Sequence, residues 1–113
     1  MAVSRGEVWM ADLSPTRGTE QSGLRPVLIV QTDRANAHSP HTIIVPFTTK
    51  IRQKLLPSHV VVPAGEGGLT QDSVALCEQI RVADTGRLGR LLGVLPDVRM
   101  DEIDKAIRAI LDL

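Results

Sequence analysis

Apolar residues recur along the chain with two different periods, and the change from one to the other predicts a β-rich body followed by a terminal helix. From Gly6 to Asp12, Val8 and Met10 alternate with Glu7 and Trp9, which predicts a short strand. Pro26–Gln31 is a continuous apolar, β-branched run, the signature of a buried strand. Thr42–Thr48 predicts a third strand, and Pro46 inside it predicts an edge position or a bulge. His59–Val62 predicts a fourth. Ser73–Val82 is long and apolar, with Val74, Leu76, Glu78 and Ile80 on one phase; it predicts one long strand, with a helix left open by pattern alone. Leu91–Leu95 predicts the last short strand. Polar stretches holding glycine and proline predict loops at Leu13–Leu24 and Lys50–Pro57 and turns at Gly65–Gly68 and Asp84–Leu88. Asp33–Asn36 predicts a single helical turn.

After Pro96 the period becomes helical. Met100, Ile103, Ala106, Ile107, Ile110 and Leu111 fall on one stripe of a helix that begins near Asp97 and runs to the end of the chain. Pro96 suits the first helical position, and Asp97, Asp101 and Glu102 place acidic groups near the positive end of the helix dipole. Such a helix lies on the sheet or on a partner. The predicted fold class is therefore mainly β with a C-terminal α-helix: one domain over residues 1–113, a small, strongly bent antiparallel sheet or open barrel. A barrel this small leaves little room inside for a ligand, so its chemistry belongs to rim loops or to an interface.

Composition narrows the chemistry. With one Trp, one Phe and no Tyr, the core must be aliphatic, and a nucleic acid could not be held mainly by stacking on rings. A single cysteine, Cys77, excludes an intrachain disulfide and a cysteine-based zinc site. No phosphate-cradling glycine loop or metal-ligand motif is present, so neither a metal nor a cofactor is expected. No apolar run approaches the roughly 18 residues of a membrane span. The first residues lack the apolar core of a signal peptide, and a cytoplasmic location is expected. The formal net charge is zero, yet residues 1–60 carry seven Lys/Arg against four Asp/Glu, with a cluster at Lys50, Arg52 and Lys54. A polyanion could bind there, although a solvated loop explains the same charges.

Two segments carry candidate chemistry. Gly18–Pro26 is a glycine-bounded loop ending in Arg25, which Pro26 biases toward extended geometry. Val45–Lys50 ends a strand with two hydroxyls and a cation. A guanidinium can grip a phosphodiester with two hydrogen bonds, and a threonine hydroxyl can donate to its oxygens. A surface ion pair for Arg25 and strand-end capping by Thr48 and Thr49 are the plain alternatives. His38, His41 and His59 read as structural or solvent-exposed, with a two-histidine site for phosphodiester cleavage as the lesser alternative.

Several motifs then occur in one order: Arg5-Gly-Glu-Val-Trp9, Asp12-Leu-Ser-Pro15, Gly18-Thr-Glu-Gln-Ser-Gly-Leu-Arg-Pro-Val-Leu-Ile-Val-Gln31, Val45-Pro-Phe-Thr-Thr49, Leu56-Pro-Ser-His-Val60 and Gly68 through Glu78-Gln-Ile-Arg81. In these the chain resembles the MazF/PemK family of toxin endoribonucleases. The resemblance implies an SH3-like open barrel, shared with the CcdB gyrase poisons, and a homodimer. It implies cleavage of single-stranded RNA at a short motif without a metal, and inhibition by a cognate antitoxin whose disordered C-terminal segment occupies the RNA groove. Carried onto this chain, it puts the catalytic arginine at Arg25 and the catalytic threonine at Thr48, with Glu20 a further catalytic carboxylate. Thr19, Gln21, Ser22, Thr49, Lys50, Arg52, Gln79 and Arg81 are then expected to line the RNA path. A gyrase poison on the same fold is the rival; by resemblance such toxins depend on an aromatic C-terminal end, whereas this chain ends Ile110-Leu-Asp-Leu113.

Overall fold

The computed structural model describes residues 2–18, 20–51 and 55–113. Among these residues, seven strands and a terminal helix follow in the order β1 (Glu7–Asp12), β2 (Leu24–Ile29), a short helical turn α1 (Asp33–Asn36), β3 (His41–Thr48), β4 (His59–Val62), β5 (Ser73–Leu76), β6 (Arg81–Asp84), β7 (Leu88–Val94) and α2 (Asp97–Leu111). All pairings are antiparallel. The sheet runs β4-β5-β3-β2-β1-β7, with β6 attached to β3.

Strand β3 is the hub, which corrects the expectation that Pro46 marks an edge. On one side β3 pairs with β2. On the other its first half, His41–Ile44, pairs with β6, and its end, Phe47–Thr48, pairs with β5. Pro46 lies between these two ladders, where β3 changes partner, so a residue without an N–H is tolerated in the middle of the sheet. A second correction has the same root. Ser73–Val82 is not one strand: β5 ends at Leu76, a 3-10 turn spans Cys77–Gln79, and β6 starts at Arg81. The break lets one apolar run serve both halves of β3. Its local pattern resembles a long strand because all four residues of β5 are buried.

The inner strands are buried on both faces, which is why they read as nearly continuous apolar runs. Val8, Leu28, Val45 and Phe47 point into one core with Val60, Val62, Leu95 and the helix residues Met100, Ile103 and Ala106. Their neighbours Trp9, Ala11, Val27, Ile29 and Ile44 point the other way, into a second cluster with Leu13, Ala83 and Leu88. Residues alternate between the two because successive strand side chains face opposite sides.

Helix α2 starts at Asp97, as expected, with the extended Pro96 as its cap rather than its first helical residue. It seats Met100, Ile103 and Ala106 and leaves Ile110 and Leu111 about half exposed, so the apolar stripe outruns the surface it covers. Ile103 is wholly buried, and truncating it to alanine should cost about 2–5 kcal/mol. Arg99 and Arg5 fasten the helix to the body. Arg99 meets Glu66 through Nε and NH2, each at 2.9 Å, and also pairs with Glu102. Arg5 bonds Asp104 and the Val30 carbonyl. Gly68 lets the Glu66 turn press against β7: a Cβ there would stand 2.1 Å from the Leu92 carbonyl oxygen.

Candidate functional site

Strand register alone brings the two best candidates together. Val27 pairs with Pro46 and Leu28 with Val45. Continued two residues, that register sets Arg25 at the start of β2 across from Thr48 at the end of β3. Both occupy the phase of Val27, Ile29 and Ile44, so their side chains leave the same face of the sheet just past the end of the core. They line one open cleft of about 310 Å³, together with Gln21, Thr49, Lys50 and Ser73.

Arg25 is held by neutral groups. Its Nε donates to the Ser22 carbonyl at 2.8 Å, and its NH1 donates to the Gln21 side-chain oxygen and, at 3.4 Å, to the Phe47 carbonyl. Among the described residues no acceptor takes its NH2 and no carboxylate pairs with it. The guanidinium is thus oriented while its positive charge stays uncancelled. The Thr48 oxygen accepts the Lys50 backbone N–H at 3.2 Å, which leaves the hydroxyl proton available to a ligand. The loop before β2 is tied across the sheet by Gln79, whose side-chain oxygen accepts the Gln21 N–H at 2.9 Å.

The cleft continues on one side. A second hollow of about 300 Å³ shares Gln21, Thr48 and Lys50 with the first and adds Leu56, His59 and Gln79. A third, of about 230 Å³, holds Glu20, Gln79 and Arg81. Eight of the expected residues therefore fall along one trough. Arg25, Thr48, Gln21, Thr49 and Lys50 share the first cleft, Gln79 the second, and Glu20 and Arg81 the third. Ser22 contributes its carbonyl to Arg25 rather than a wall. Glu20 is exposed, and its carboxylate accepts the Arg17 N–H at 3.2 Å. Thr19 and Arg52 lie outside the described residues.

Sequence reasoning missed Ser73 and the pair His59–Glu78, whose Nε2 and Oε2 are 2.9 Å apart on the wall of the second hollow. Nothing in the local pattern links His59 to Glu78; only the pairing of β4 with β5 brings them together. Cys77 is no nucleophile here. Burial, aided by the Glu78 charge, pushes its thiol up to about 12, far from thiolate at neutral pH. Among the described residues no three His, Cys, Asp or Glu side chains gather as a metal would need, and no helix is long and apolar enough to cross a membrane.

Known proteins match this chain nearly end to end. Residues 4–111 match the family described as the PemK-like, MazF-like toxin of type II toxin-antitoxin systems. The chain is 45% identical to endoribonuclease EndoA of Bacillus subtilis, over all of this chain and 97% of that protein. It is 44% identical to endoribonuclease MazF of Staphylococcus saprophyticus, over 93% and 88% of the two. Among solved structures, a mycobacterial endoribonuclease in complex with its cognate antitoxin superposes with a TM-score of 0.84 at 27% identity, covering 99% of this chain and 97% of that one. MazF of Deinococcus radiodurans gives 0.85 at 24% identity, over 100% and 99%, a likeness of fold. The expected open barrel with its terminal helix is thus the fold of this group, and the gyrase-poison reading finds no support. The chain belongs to the PemK-like, MazF-like toxins of type II toxin–antitoxin systems.

Proposed function

We propose that this chain is an endoribonuclease that cuts single-stranded RNA at a short motif, with Arg25 and Thr48 as its catalytic residues and no metal in the chemistry. The observation that carries the reading is the cleft in which an uncancelled guanidinium and a free hydroxyl proton face the same solvent space. A phosphodiester seated there accepts hydrogen bonds from both. RNA supplies its own nucleophile, the 2′-hydroxyl beside the scissile phosphorus, so neither a water nor a metal has to be activated. As the oxygen attacks, charge builds on the non-bridging oxygens, and Arg25 with Thr48 stabilises it.

The 2′ proton goes to a carboxylate, for which Glu20 is the candidate in the trough, and the leaving 5′ oxygen takes a proton from Arg25 or solvent. The products are a 2′,3′-cyclic phosphate and a 5′-hydroxyl. Gln21, Thr49, Lys50, Gln79 and Arg81 carry the strand on either side. Ser22 acts through its carbonyl, which orients Arg25, and the family resemblance adds Thr19 and Arg52 as RNA-binding residues. The protein works as a homodimer, a reading supported by the family and by the apolar Ile110 and Leu111 left open on α2. A cognate antitoxin blocks the trough with its disordered C-terminal segment; a related toxin has been solved with its cognate antitoxin. The setting for such a system is the cytoplasm.

Incubating the purified protein with a long RNA in excess EDTA and mapping the new 5′ ends tests this directly. Discrete cuts at a recurring short sequence, with the matching DNA untouched, are expected. Intact RNA, or cuts that vanish with EDTA, would overturn the metal-independent mechanism.

A further inference from the structure

We propose that His59 and Glu78 form a clamp that fixes the backbone at Leu56 as one wall of a nucleobase pocket beside the Arg25–Thr48 cleft. This rests on the endoribonuclease reading and adds residues that set how the RNA is read. The second hollow has the right character. Leu55, Leu56, Val74 and Leu76 give it apolar walls, with Gln79 and Lys50 at its margin. At about 300 Å³ it stands at the lower end of small-ligand sites, the scale of a single heterocycle. Bases splayed from a single strand are held by apolar contact on their faces and hydrogen bonds on their edges. Thr48 borders both hollows, so a base seated here belongs to a nucleotide flanking the scissile phosphate.

The apolar wall at Leu56 is not part of any strand, and something must hold it. His59 does so twice. The Leu56 backbone N–H donates to His59 Nδ1 at 3.2 Å, and the His59 N–H donates to the Leu56 carbonyl at 2.9 Å. Because Nδ1 accepts, the ring proton sits on Nε2 and donates to Glu78 at 2.9 Å. Glu78 in turn accepts the Ser58 hydroxyl at 3.1 Å. The side chain of His59 is only 8% exposed, and both its nitrogens are occupied. A ring so engaged cannot ferry a proton to substrate. It is a positioning residue, and Leu56, 52% exposed, is the surface it positions.

The test dissects the two ring nitrogens. End-mapping on the unmodified protein first defines the cut sequence; failure to cut at all would count against the endoribonuclease reading itself. With a short RNA of that sequence, His59→Ala should raise KM roughly tenfold and leave kcat within about twofold, the signature of lost substrate binding. Its cut sites should also become less selective at one position of the motif. His59→Asn, whose side-chain oxygen can still accept the Leu56 N–H, should restore most of the loss. His59→Gln, which keeps only the donor to Glu78, should not. Leu56→Ala, at an exposed position where the fold is not at stake, should blur the same position of the motif. The clamp is overturned if the wild type cuts but Leu56→Ala leaves KM and selectivity unchanged, if the loss in a folded His59→Ala lies in kcat alone, or if Gln rescues as well as Asn.

Discussion

Arg25 in the cleft and Arg99 in the first turn of α2 are both held by several hydrogen bonds, and the chemistry of their partners is opposite. Arg99 meets two carboxylates, Glu66 and Glu102, and its charge is spent on fastening the helix; those contacts hold its guanidinium still more firmly protonated than an ordinary arginine's. Arg25 is gripped by a side-chain amide and two backbone carbonyls. Carbonyl and amide oxygens orient a guanidinium without neutralising it. A fold that uses arginine as a strut pairs it with acid, and a fold that offers arginine to an anion surrounds it with neutral acceptors.

The sharpest way to break this contrast is to remove each arginine in turn. Arg25→Ala should lower kcat for RNA cleavage by roughly a hundredfold or more, as loss of a charge-stabilising donor does, with little change in thermal stability. Single-turnover cleavage and a thermal melt on the same preparation read both quantities. Near-normal turnover would remove Arg25 from the catalytic role.

A subtler variant turns one setting into the other. Gln21→Glu would give Arg25 a carboxylate where it now has an amide oxygen, imitating Arg99. Cleavage efficiency should fall about tenfold because the anion must compete with a resident negative charge. Stability should hardly move, since an exposed pair contributes about 0–1 kcal/mol. If Gln21→Glu cleaves as fast as the parent, the neutrality of the Arg25 partners is incidental. The complementary variant, Arg99→Ala, should lower the melting temperature by a few degrees and leave kcat for RNA untouched, because Arg99 lines none of the three hollows of the trough.

The difference between the two arginines also marks what could be read from the chain. Arg25 stands out in sequence because Pro26 and the glycines around it shape its loop, and the strands that carry Arg25 and Thr48 read as short, β-rich apolar runs. Their convergence follows from pairing neighbours in the chain, β2 with β3, the step sequence predicts best. Helix α2 was legible for a similar reason, a long run of one period. What stayed hidden depends on changes of partner. Pro46 sits inside the sheet because β3 exchanges β6 for β5 beside it, and Ser73–Val82 breaks in two for the same reason. The tie between His59 and Glu78 and the partner of Arg99 are tertiary facts. Glu66 and Arg99, 33 residues apart, meet through the packing of the Gly68 turn and α2 on the body, and no local pattern announces that approach.

The smallest expected effect concerns acid. Hydrogen bonds from Arg99 hold the Glu66 carboxyl below its ordinary value of 4.5; desolvation opposes them, and the Arg99 charge adds to the lowering. The folded protein thus binds that proton less readily than the unfolded chain does. By linkage, the stability contributed by the pair is complete above about pH 4.5 and fades as pH falls through the lower folded value. Melting temperature measured across that acid range should decline for the parent, and Glu66→Gln should decline less steeply while starting lower at neutral pH. Arg25 offers no such handle, since no carboxylate faces it among the described residues; replacing Arg25 should leave the acid limb of the stability profile where it was. A steeper or shallower limb in Arg25→Ala would mean that the cleft arginine carries a hidden acidic partner, and the distinction between strut and offered cation would fail.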